Sequence, residues 1–69
     1  MLWLVMKNES MQITGCNTFE MNGKHQVWVE RPNGKSKMIS ESEDKEYTNT
    51  VKNAIDYAIK SGSATLELD

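Results

Sequence analysis

Residues 26–46 read QVWVERPNGKSKMISESEDKE, and their patterning decides the fold. Val27 and Val29 lie two apart, as neighbours on one face of a strand do. At Pro32-Asn33-Gly34 the chain turns back, because proline sets φ for the first corner and Asn or Gly tolerates a left-handed one. A second strand follows. The acids Glu41, Glu43, Asp44 and Glu46 then stand where the positive end of a helix dipole favours them. This stretch predicts a two-stranded hairpin followed at once by the start of the only long helix.

Upstream, Phe19 and Met21 alternate and are followed by Asn22-Gly23. That dipeptide between alternating segments is a strong hairpin signal, since a type I′ turn needs positive φ at both central residues. Met11 to Thr14 alternate as a half-buried strand does, and Gly15 ends the pattern. The apolar run Leu2 to Met6 reads either as a strand in its own right or as an extension of the next. Strands are thus expected near residues 11–14, 18–21, 26–31 and 35–40.

Downstream, Tyr47, Val51, Ala54, Ile55, Ala58 and Ile59 form one stripe of a 3.6-residue period. Ser40 and Glu43 have capping-box spacing, and Lys60-Ser61-Gly62 is a helix stop, so the helix is expected over about residues 44–60. Ala64, Leu66 and Leu68 alternate with polar residues to the end of the chain, a strand that the helix must cross the sheet to deliver. The expected fold is α+β: an antiparallel β-meander packed by one α-helix and followed by a C-terminal strand, in the order β-β-β-β-α-β, as one domain over residues 1–69.

A chain of 69 residues buries only about 60% of its unfolded surface, so modest stability is expected. Hydrophobic residues make up 38% and charged residues 26%, enough apolar material to exclude a disordered chain. The single Cys16 forms no internal disulfide, and residues 1–6 are too short for a signal core or a membrane span, so a cytoplasmic protein is expected. The net charge of −2 is unevenly spread: the hairpin region with Lys24, Arg31, Lys35 and Lys37 is basic, and the helical half is acidic.

No catalytic set can be assembled. Cys16 and His25 are each alone of their kind, whereas a nucleophile pair needs an orienting third group and a zinc site about four ligands. The glycines are isolated and belong to turns or caps, not to a phosphate loop. The acidic run lacks the glycine and final glutamate of a calcium loop. The chain therefore reads as a non-enzyme without metal or cofactor. Trp28 with Lys24, Arg31, Lys35 and Lys37 offers an alternative, a ribbon that binds single-stranded nucleic acid by stacking and charge.

The segment Ile39-Ser40-Glu41-Ser42-Glu43-Asp44, set between strand and helix, resembles the matching segment of small phage anti-CRISPR proteins of type II-A, inhibitors of the type II RNA-guided nuclease. Ile13-Thr14-Gly15-Cys16-Asn17-Thr18 is similar to a strand end of that family, as are the Asn33-Gly34 turn and the Lys60-Ser61-Gly62 close. The resemblance implies a phage-encoded inhibitor that occupies the basic groove reading the PAM, where arginines grip guanines and would meet carboxylates instead. Carried over, it makes Asn33, Gly34, Lys35 and Ser36 the turn contacts and Glu41, Glu43, Asp44 and Glu46 the acidic contacts. Here Lys35 and Ser36 stand in the turn where the family has an acid. A fainter resemblance, in Lys7-Asn8-Glu9-Ser10-Met11 and the helix-plus-strand ending, is to a phage antitoxin that blocks an RNase toxin. The expected partner is accordingly a host defence protein, either the type II effector nuclease or the toxin, met in the host cytoplasm. A homodimer through the N-terminal strand or an open sheet edge is a further expectation.

Overall fold

The computed structural model describes residues 1–68, so Asp69, the expected end of the last strand, lies outside the described residues. The fold is α+β, with strands ahead of the helix and one behind it. In chain order the elements are β1 (Leu2–Val5), β2 (Ser10–Ile13), β3 (Gly15–Met21), β4 (Lys24–Glu30), β5 (Ser36–Ser42), α1 (Lys45–Lys60) and β6 (Thr65–Glu67). The apolar opening run is therefore a strand of its own.

The strands form two sheets of three, ordered β2-β1-β6 and β3-β4-β5. The second is the antiparallel meander, turned at Asn22-Gly23 and at residues 31–35. Asn22 and Gly23 have φ of 53° and 78°, the two positive values a type I′ turn requires. In the first sheet β1 lies in the middle, antiparallel to β2 and parallel to β6. Thr14 joins the sheets, its backbone N–H donating to the Glu30 carbonyl at 2.8 Å. Gly15 begins β3 opposite Glu30 instead of ending a strand. A Cβ there would lie 3.4 Å from the Glu30 carboxylate, within van der Waals contact.

Two expectations at the helix are corrected. Ser40 is no cap: β5 continues to Ser42 because its ladder with β4 holds through His25 opposite Ser42. Asp44 is the N-cap, its Oδ1 accepting from the backbone N–H groups of Glu46 at 2.9 Å and Tyr47 at 3.2 Å. The buried helix stripe is Thr48, Val51, Ile55 and Ala58, while Tyr47 faces solvent. Thr48 displaces it because the helix faces β4, where the Thr48 hydroxyl donates to the His25 carbonyl at 3.5 Å. The expected stop is present, with Ser61 as C-cap and Gly62 at a φ of 74°.

One apolar cluster serves both sheets. Leu2 and Leu4 of β1, Met11 and Ile13 of β2, Val27 and Val29 of β4, and Val51, Ile55 and Ala58 of α1 are all buried in it. A bulge in β5 opposite Val27 and Trp28 leaves Ile39 as the extra residue, and its side chain packs on the same cluster. Truncating Ile55 or Leu4 to alanine should lower the unfolding free energy by about 3 kcal/mol in urea titrations, whereas Tyr57→Ala, on the exposed helix face, should change it by less than about 0.5 kcal/mol.

Candidate functional site

β5 places the expected contact residues. Its N-terminal end carries the turn: the Lys35 backbone N–H donates to Asn33 Oδ1 at 3.0 Å, Gly34 takes a φ of 83°, and the Arg31 N–H donates to the Lys35 carbonyl at 2.9 Å. Ser36 is the first strand residue. The other end carries Glu41 and then the helix start with Glu43, Asp44 and Glu46. Seven residues at about 3.3 Å each set the two groups roughly 20 Å apart, so they are two separated groups and not one patch.

The four acids are not equivalent. Asp44 is occupied as the N-cap. Glu41 accepts from Gln26 Nε2 at 2.7 Å and lies 3.9 Å from Lys24 Nζ. Glu43 and Glu46 are exposed, and neither carboxylate makes an ion pair among the described residues. The charge available to a partner at this end therefore rests mainly on Glu43 and Glu46.

The basic ribbon does not assemble on one face. Lys37 points to the covered side of β5 and holds Glu9, in the β1–β2 turn, through Nζ at 2.8 and 2.9 Å from its two carboxylate oxygens. Lys35 stays at the turn, and Lys24 faces the open side beside Glu41. Trp28 therefore lacks the row of cations expected around it.

What the sequence reading missed is the open face of β3-β4-β5. On the side away from α1 it presents Phe19, Met21, Trp28 and Met38, of which Phe19 is 55% and Met21 60% exposed. Phe19 and Trp28 meet edge to face, with centroids 6.4 Å apart at 89°. Gln26 lies between them and is buried to 8% exposure, accepting from Trp28 Nε1 at 2.9 Å and donating to Glu41. This chain of hydrogen bonds fixes the indole. The signal was available in the sequence, since Asn17, Phe19 and Met21 alternate and so do Gln26 and Trp28, but alternation does not say which face the helix covers.

A groove of about 540 Å³ between α1, β5 and the β1–β2 turn is lined by Met6, Ile39, Tyr47, Val51 and Leu68 and gathers no reactive set. Among the described residues no three His, Cys, Asp or Glu side chains converge as metal ligands, and no helix is long and apolar enough to cross a membrane. His25 lies on β4 with Nε2 3.8 Å from Glu20 Oε2. Comparison with protein-family models, curated proteins and solved structures finds no match to the chain.

Cys16 sits half-buried on β3 near Lys52 and Asp56, which are paired on α1. Burial pushes its thiol up to about 11 from 9.0, Asp56 adds to the rise and Lys52 opposes it. The unfolded chain then releases this proton at lower pH than the folded one, so stability should fall as pH rises from about 9 to about 11. Urea midpoints across that range should fall more steeply for the wild type than for Cys16→Ala. Replacing the cap, Asp44→Ala, should cost about 1 kcal/mol by the same titration at pH 7, while Asp44→Asn should retain most of it.

Proposed function

We propose that the protein is a non-catalytic inhibitor that binds a host defence nuclease and occupies its basic nucleic-acid-reading groove with the acidic helix start. The observation that carries this reading is the exposure of both Glu43 and Glu46 where β5 passes into α1, on either side of the Asp44 cap and without an ion pair among the described residues. The Asp44 cap fixes the backbone at this junction, so only the glutamate side chains have to be ordered when they meet arginines in charge-assisted, two-point hydrogen bonds. The resemblance of residues 39–44 to type II-A anti-CRISPR proteins supplies the partner, the type II RNA-guided nuclease. The turn at residues 33–36, roughly 20 Å away along β5, serves as a second and separate contact.

The reading makes Glu43 and Glu46 more important than Asp44 and Glu41, whose oxygens are already engaged. Cleavage of a PAM-bearing duplex by a type II effector, titrated with the protein, should be suppressed. The Glu43→Gln, Glu46→Gln double variant should lose inhibition by about tenfold or more, as for a pair of charge-assisted contacts. Its urea midpoint should stay near the wild-type value. Undiminished cleavage at large excess, with no complex on gel filtration, rejects the proposal.

A further inference from the structure

The open face of β3-β4-β5 exposes Phe19, Met21 and Met38 beside a half-buried Trp28, and its charges lie where a second copy of the same face can meet them. Along β4, residues 24, 26, 28 and 30 share this face. Lys24 stands at one end and Glu30 at the other, with Gln26 and Trp28 between them. Lys24 and Glu30 are equidistant from Val27, the middle residue of the strand. Glu41, the remaining charge on the face, accepts from Gln26 and lies 3.9 Å from Lys24 Nζ of the same copy, a solvent-exposed pair too weak to hold Lys24 from a partner. Glu30 accepts from Asn17 Nδ2 at 3.2 Å and keeps its other oxygen open.

The geometry points to a two-fold homodimer in which these faces pack with their β4 strands antiparallel. A two-fold axis crossing β4 at Val27 sets Lys24 of one copy over Glu30 of the other, twice, and sets Trp28 over Gln26 of the other copy. Turning the partner the other way, with β4 strands parallel, sets Lys24 over Lys24 and Glu30 over Glu30. Charge complementarity selects the first arrangement over the second. Phe19, Met21, Trp28 and Met38 then lose their exposure, as aromatic and methionine side chains do at interface centres. The Trp28 to Gln26 to Glu41 hydrogen bonds keep the buried polar groups satisfied within each copy.

The face is small. Three strands at about 4.8 Å and seven residues at about 3.3 Å give a footprint of roughly 14 by 23 Å. Even with pleating this lies below the ~800 Å² per partner of a standard interface. The dimer therefore dissociates on dilution, and it uses neither Glu43 nor Glu46, so it stands apart from the proposed inhibition.

Sedimentation equilibrium of the wild type over a concentration series should show a reversible monomer–dimer equilibrium, with blue-shifted tryptophan emission at the dimer end. Lys24→Glu and Glu30→Lys should each weaken self-association on the order of tenfold, since two attractive pairs become repulsive. Mixing the two variants should restore association as a heterodimer, because every contact between them is again opposite in sign. Circular dichroism should show each variant folded. A wild type that stays monomeric at millimolar concentration, or variants whose mixture associates no better than either alone, overturns the proposal. So does a monomer whose tryptophan emission shifts only on adding a single-stranded oligonucleotide or an effector nuclease, which gives the face to that occupant.

Discussion

Neither sheet of this protein has enough depth to bury an apolar face alone, and the shared cluster centred on Ile55 resolves that for both. β1, β2 and β6 contain four, four and three residues, lengths at which an isolated sheet is marginal in water. The helix stripe Thr48, Val51, Ile55 and Ala58 covers the inner side of β3-β4-β5, and Leu2, Leu4, Met11 and Ile13 reach the same interior from the other sheet. Everything else follows from keeping that cluster closed. Thr14 must carry the chain across without losing its backbone partner. After Gly62, α1 must return the chain so that β6 can lie parallel to β1.

That constraint also determines what is left for function. A helix of 16 residues covers one side of a three-stranded sheet and leaves the other bare. The bare side carries the aromatic pair, and the junction between β5 and α1 carries the free carboxylates. These surfaces meet at Glu41, which belongs to the edge of both, yet their chemistry differs: a fixed apolar face on one, exposed like charge on the other. A small domain can in this way expose two chemically different surfaces, because sheet face and helix start are both products of the same packing.

The parallel pairing of β1 with β6 bears on assembly as well. With β2 on one side and β6 on the other, β1 has no free edge to offer a partner strand. The apolar opening run is spent inside the protein. An association between copies has to use an outer strand or a face, and the outer face of β3-β4-β5 is the better suited because Phe19, Met21 and Met38 are exposed there and Trp28 is held by its hydrogen bond to Gln26.

Local signals in the chain determined much of this. Asn22-Gly23, Pro32-Asn33-Gly34 and Lys60-Ser61-Gly62 each act over a few residues through backbone conformation, and each turn or cap lies where those residues demand it. The helix was legible from its 3.6-residue period, though its centre was misjudged by one position, since a threonine that reaches a backbone carbonyl is buried as readily as a tyrosine. Exposed acids at the helix start were legible too, but not their division into a capping Asp44, a tethered Glu41 and an unpaired Glu43 and Glu46, which depends on Gln26 and Lys24 on the neighbouring strand or on the exact end of β5. Only the tertiary structure decided that the strands split into two sheets, that β1 lies in the centre of one, and that Phe19 and Trp28 face solvent while Val27 and Val29 do not. Alternation tells that a strand has two faces; which one is covered depends on where the helix packs, and that is settled by the whole chain at once.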